Sequence, residues 1–182
     1  TLETRYSDEA SQFVTLNDGL VVHYKDEGPA DAPVIVLLHG FASSLGTWDA
    51  WAKDLATDHR VIRMDFPGHG LTRSFVGPSH ETADLSSFVS AMADELGLKR
   101  FVLVGSSMGG HTAWVYALDH QDRLDGLVLV AAAGLPETQE NEELPLIFRL
   151  IRNPVIRPVL KDLDLTPLIR DGLKKSFIDQ SF

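Results

Sequence analysis

The chain has 182 residues, 44% of them hydrophobic and 23% charged, the balance of a single globular domain with a sizeable core. A formal net charge of -10 argues against a nucleic-acid binder, which needs a basic face to displace counterions. There is no cysteine, so disulfides, thiol catalysis and thiolate metal sites are excluded.

The first 11 residues are polar and read as a loose arm. Phe13 to Leu16, then Asn17-Asp18-Gly19, then Leu20 to Tyr24 reads as a β-hairpin, because Asp-Gly tolerates the positive φ of a tight turn. The stretch 26–33, rich in Gly, Pro and Asp, reads as a loop. Val34 to Leu38 is a continuous apolar run, the pattern of a strand covered on both faces, and it leads into His39-Gly40-Phe41-Ala42-Ser43-Ser44. Trp48, Trp51, Ala52 and Leu55 then share one helical stripe and are expected to face the core. Arg60 to Met64 reads as the next strand, ending in the Gly- and Pro-dense Asp65-Phe66-Pro67-Gly68-His69-Gly70. Thr82 to Leu96 is an amphipathic helix with Leu85, Phe88, Val89, Met92 and Leu96 on one side.

Phe101 to Val104 is again a short apolar strand, and a helical pattern runs from Met108 through Trp114 to Leu118. Between them Gly105-Ser106-Ser107-Met108-Gly109 fits Gly-x-Ser-x-Gly in one frame only, with Ser107 at the centre. A serine on a sharp strand-to-helix turn is exposed, and its hydroxyl lies at a helix N-terminus that favours developing negative charge. Gly and Ser are common residues, so the pentapeptide has little specificity by itself. Leu124 to Ala133 is a further strand, closed by Gly134 and Pro136.

Alternating strands and helices at this spacing imply an α/β fold, a doubly wound and mostly parallel sheet with helices on both faces. Residues 1–136 are assigned to this core. Ligands of such sheets bind beyond the carboxyl ends of the strands. The loops at His39-Gly40, at 65–70 and at 105–109 all follow strand carboxyl ends, so they are expected to converge on one edge. Residues 137–182 begin acidic and continue as short helical pieces punctuated by prolines, with Thr166-Pro167 a helix start. They are read as a partial helical lid.

Taken together, Leu37 to Ser44, Asp65 to Gly70 and Val104 to Gly110 resemble the α/β-hydrolase superfamily, in particular the cap-bearing bacterial esterases and the C–C bond hydrolases. The resemblance implies Ser107 as nucleophile and the backbone amides of Phe41 and Met108 as oxyanion-hole donors. It implies structural parts for His39, Gly40, Gly105 and Gly109 and a cap over residues 137–182. It also implies a triad acid and histidine beyond the last two strands, which these 182 residues are expected to lack. After Ser107 the histidines are His111 and His120, both on or beside the helix that follows the turn. The isolated chain is therefore expected to be nearly inactive, with its acid and base supplied by a missing C-terminal half, in the same polypeptide or a complementary chain.

The expected reaction is cleavage of a carboxylic ester through an acyl-serine on Ser107. C–C bond cleavage is the alternative within enzymes, set second because Phe41-Ala42-Ser43-Ser44 replaces that branch's Gly-Pro-Gly loop. A non-catalytic binding module is the alternative outside them. Epoxide hydrolase and dehalogenase chemistry would need an aspartate at position 107. Asp65 is read as organising its own turn rather than as a triad acid, and Ser106 lacks the frame of a nucleophile. No metal-ligand spacing and no cofactor motif is present. No apolar run approaches membrane-spanning length. The start at Thr1 fits removal of a leader and leans toward a secreted or periplasmic location, with the cytoplasm as the alternative.

Overall fold

The computed structural model describes residues 1–73 and 82–134, with 82–84 described as helix backbone only. The elements in order are α1 (Leu2–Tyr6), β1 (Gln12–Thr15), β2 (Val21–Glu27), β3 (Val34–Leu38), a 3-10 turn (Leu45–Trp48), α2 (Asp49–Leu55), β4 (Arg60–Met64), α3 (Thr82–Glu95), β5 (Phe101–Ser106), α4 (Met108–Asp119) and β6 (Leu124–Val130). The lid expected of residues 137–182, with its helix start at Thr166-Pro167, lies outside the described residues.

The strands form one sheet in the order β1-β2-β4-β3-β5-β6. β1, β2 and β4 are joined by antiparallel pairing, whereas β4, β3, β5 and β6 run parallel. The side-chain period of two sorts each strand between two cores. Val36, Leu38, Ile62, Met64 and Leu103 pack under α3 and α4, against Phe88, Val89, Met92, Ala113 and Tyr116. Ile35, Leu37, Val61 and Val104 face the other way, onto Trp48 and Ala52. β3 is apolar at every position because both of its faces are covered.

Several expectations are corrected. The first 11 residues are not a loose arm: α1 is capped by the Thr1 hydroxyl, Lys25 pairs with Asp8, and Ser11 bonds the His23 ring. β2 continues through Asp26 and Glu27 into the stretch expected to be a loop, since these residues pair with Ile62 and Val61. Their carboxylates are held by Arg60 and Arg63 of the neighbouring strand. Trp51 is 46% exposed rather than in the core; it sits edge-on to the buried Trp48, with ring centroids 5.2 Å apart. β6 ends at Val130, three residues early, where Ala131 turns to φ 45°.

β6 is the edge of the sheet among the described residues. Its consecutive residues Leu127, Val128 and Leu129 are 39%, 41% and 38% exposed. Consecutive strand residues point to opposite faces, so apolar surface is open on both sides of this strand.

Candidate active site

Three chain segments meet where β3, β4 and β5 end. The first is the turn from β5 into α4. Ser107 there has φ 51° and ψ -113°, a conformation that costs a non-glycine residue about 1–3 kcal/mol. It is held by hydrogen bonds at both ends: its N–H donates to the Val130 carbonyl at 3.1 Å, and its carbonyl accepts from His111 N–H at 2.9 Å and Ala133 N–H at 3.0 Å. The residue is exposed, and Met108 opens the helix directly after it.

The glycines around Ser107 are there for space. A Cβ on Gly105 would lie 2.2 Å from the Gly109 carbonyl oxygen, and one on Gly109 would lie 2.3 Å from the Leu38 carbonyl oxygen. The first turn of α4 therefore lies directly on the end of β3. Gly110, whose spacing part sequence reading missed, makes a third such contact: its Cβ would fall 2.6 Å from the Cβ of Ala132.

The second segment is the loop after β3. Gly40 passes against the serine, so that a Cβ there would be 3.3 Å from the Ser107 Cβ and 3.9 Å from its Oγ. Phe41, 47% exposed, follows, and its ring meets that of His69 edge-on at 5.8 Å. His39 is fully buried. Its Nε2 accepts the Phe66 N–H at 3.0 Å, which fixes the proton on Nδ1, where it donates to the Gly40 carbonyl at 2.7 Å. Both ring nitrogens of His39 are thus engaged. Burial, the largest influence, pushes its pKa below the ordinary 6.5.

The third segment is the loop after β4, built around Asp65. This carboxylate is almost completely buried and accepts from the Leu45 N–H at 2.7 Å, the Leu71 N–H at 2.9 Å and the His23 Nδ1–H at 2.7 Å. Burial pushes its pKa up, but the bonds from His23, Leu45 and Leu71 outweigh it and hold the value below the ordinary 3.8. Gly70, at φ 51°, is wrapped so closely that a Cβ would lie 2.0 Å from Asp65 Oδ2. Asp65 thus organises more than its own turn, since Leu45 belongs to the β3 loop.

Of the other described histidines, His69 stays at the site, its ring against those of His39 and Phe41. His69 Nδ1 donates to the Pro67 carbonyl at 3.1 Å. The His111 ring lies along Trp114, with Gly134 against it, and His120 stacks on Tyr116. His59 bonds Asp58. Among the described residues no group of three or more His, Cys, Asp or Glu could hold a metal ion, and no helix is long and apolar enough to cross a membrane.

A strained serine between strand and helix, with a glycine loop laid against it at the carboxyl edge of a parallel sheet, is the layout of the α/β-hydrolase fold. The chain belongs to the alpha/beta hydrolase fold family, whose model matches residues 33–161. It is 32% identical over 169 residues to a 2-hydroxy-6-oxononadienedioate/2-hydroxy-6-oxononatrienedioate hydrolase of Paraburkholderia phymatum, covering 85% of this chain and 57% of the relative. Among solved structures it is similar to a bacterial membrane phospholipase A (27% identity, TM-score 0.72, 83% of this chain and 50% of that one). It is also similar to the enol-lactonase of Burkholderia xenovorans (27% identity, TM-score 0.71, 90% and 58%). The chain spans 54% to 58% of the length of the first curated relatives it matches.

Proposed function

We propose that this chain carries the nucleophile and oxyanion hole of a serine hydrolase that cleaves carboxylic esters. The observation that carries the reading is Ser107 itself: exposed, at φ 51°, at the N-terminus of α4, with Gly40 against its side chain. Ser107 attacks the carbonyl carbon. The backbone N–H groups of Phe41 and Met108 hold the resulting oxyanion, each such donor contributing about 3–4 kcal/mol to the barrier reduction. The leaving alcohol departs with a proton, and water then releases the acid from the acyl-serine. Relatives named as a phospholipase A and a lactonase support ester cleavage.

The general base and its orienting acid come from a further segment, in the same polypeptide or a complementary chain. His23, His39 and His69 spend ring nitrogens on Asp65, Phe66 and Pro67. The apolar edge at Leu127–Leu129 supports a further strand laid beside β6.

C–C bond cleavage is the second reading, favoured by the curated relatives named as 2-hydroxy-6-oxo-dienoate hydrolases. The two differ in the bond broken after attack on a carbonyl, so a parallel assay separates them. The full-length protein is given p-nitrophenyl butyrate and a 2-hydroxy-6-oxo-dienoate, with Ser107→Ala beside each. A Ser107-dependent rate on the ester supports the first reading, and one confined to the dienoate transfers the conclusion to the second. Equal rates for the protein and Ser107→Ala on both would refute a serine hydrolase.

A further inference from the structure

The β3 loop is pinned at two points to consecutive residues. At its start His39 Nε2 takes the Phe66 N–H at 3.0 Å; at its end the Leu45 N–H goes to Asp65 Oδ1 at 2.7 Å. Between the pins lie Gly40, against Ser107, and Phe41. Ala42, at φ 55°, holds a backbone conformation that costs an L-residue energy and persists only if both ends are fixed.

The second pin depends on how Asp65 is oriented. Its Oδ2 takes the His23 Nδ1–H at 2.7 Å, and its own N–H donates to the His23 carbonyl at 3.0 Å. His23 is itself fixed on three sides: its N–H goes to Thr72 Oγ1 at 2.9 Å, its Nε2 meets Ser11 Oγ at 2.9 Å, and its ring lies 5.0 Å from that of Phe13. Ser11, His23 and Asp65 therefore stand in the order of a hydroxyl, imidazole and carboxylate relay. They are poorly placed for nucleophilic attack, because the carboxylate of Asp8 lies 3.3 Å from Ser11 Oγ and opposes negative charge developing there. The relay ends instead on the Leu45 amide.

We propose that His23 is a positioning residue for the loop bearing the Phe41 amide, acting through Asp65 and never touching substrate. The proposal rests on the oxyanion hole assigned above. The N-terminal hairpin would then set where the oxyanion donor stands relative to Ser107. A displacement of the order of 1 Å at such a donor costs about a hundred-fold in rate.

The test is a pair of variants of the full-length protein that differ in which half of the ring they replace. In His23→Asn the amide NH2 stands near Nδ1 and can still reach Asp65. In His23→Gln it extends toward the Nε2 position, toward Ser11, and the Asp65 bond is lost. Rates are expressed per Ser107 labelled at saturation by a fluorophosphonate, which removes differences in folded yield. His23→Asn is expected to keep kcat within about three-fold, and His23→Gln to lose about ten- to a hundred-fold in kcat with KM nearly unchanged. Affinity for a boronic acid that forms a tetrahedral adduct on Ser107 should fall in parallel. Equal kcat for the two variants, the reverse order, or a change confined to KM overturns the proposal. Ser107→Ala separates the two layers: if it retains the full rate, the site reading fails. If it is inactive while His23→Gln is not impaired, only the part given to His23 fails.

Discussion

Gly40 passes so close to Ser107 that a methyl group on it would stand 3.3 Å from the serine Cβ. That spacing is tight rather than impossible. Gly40→Ala is therefore expected to fold, with the loop moved by a few tenths of an ångström, and to lose about ten-fold in kcat at little change in KM. Steady-state kinetics beside a urea melt checks both halves. An unchanged kcat would mean that the loop's approach to Ser107 is without consequence for the chemistry.

Ser107 carries a conformational cost that a glycine would not. Ser107→Gly and Ser107→Ala should both be inactive, yet the glycine variant should be more stable by about 1 kcal/mol, because alanine keeps the Cβ that disfavours φ 51°. Urea denaturation of the two variants measures this. Equal midpoints would show that the turn holds no strain.

The glycines at the helix start are expected to be structural before they are functional. Gly109→Ala would drive a methyl to 2.3 Å from the Leu38 carbonyl oxygen, at the end of β3, and 2.5 Å from that of His39, where no flexible side chain can yield. A loss of about 3 kcal/mol or more, or no folded protein, is expected. Gly46→Ala is the contrast, since its nearest neighbour would be the Ser44 hydroxyl at 3.4 Å. It should cost well under half as much in the same melt.

His39 makes stability depend on mild acid. Its folded-state pKa lies below the ordinary 6.5, so below pH 6.5 the unfolded chain takes a proton that the folded one refuses. The stability this neutral, buried ring contributes is complete above that value and is lost as pH falls toward the folded-state pKa. Thermal melts from pH 7.5 to 5 should show a flatter dependence for His39→Asn than for the parent chain. Asp65 shifts downward from 3.8, so its contribution is lost only in stronger acid. A parallel pair of curves between pH 6.5 and 5 would count against a neutral His39.

Much of this arrangement was legible in the sequence, and for local reasons. The apolar run Val34 to Leu38 gives the bounds of β3, the stretch Arg60 to Met64 those of β4, and the apolar stripe from Thr82 gives α3 to within one residue, while the glycines on either side put Ser107 on the turn between β5 and α4. The parts that were not legible depend on distant partners. His23 reads as one more residue in a hairpin, and its tie to Asp65 spans 42 residues. Trp51 occupies a helical stripe with Trp48, but α2 has only 7 residues and covers too little sheet to bury both. Leu127 to Leu129 read as part of an apolar strand because composition reports what a strand is suited to, while exposure depends on what lies beside it.

The loop, its two pins and the groups that fix them use residues from Ser11 to Thr72, whereas the serine turn begins after β5, which enters the sheet beside β3 and not beside β4. During synthesis the loop bearing the Phe41 amide and its supports is thus complete in sequence about thirty residues before Ser107 and Met108 leave the ribosome, given emergence in chain order. The late arrival of β5 against a strand already paired on its other side would then govern when Ser107 first meets the loop that faces it.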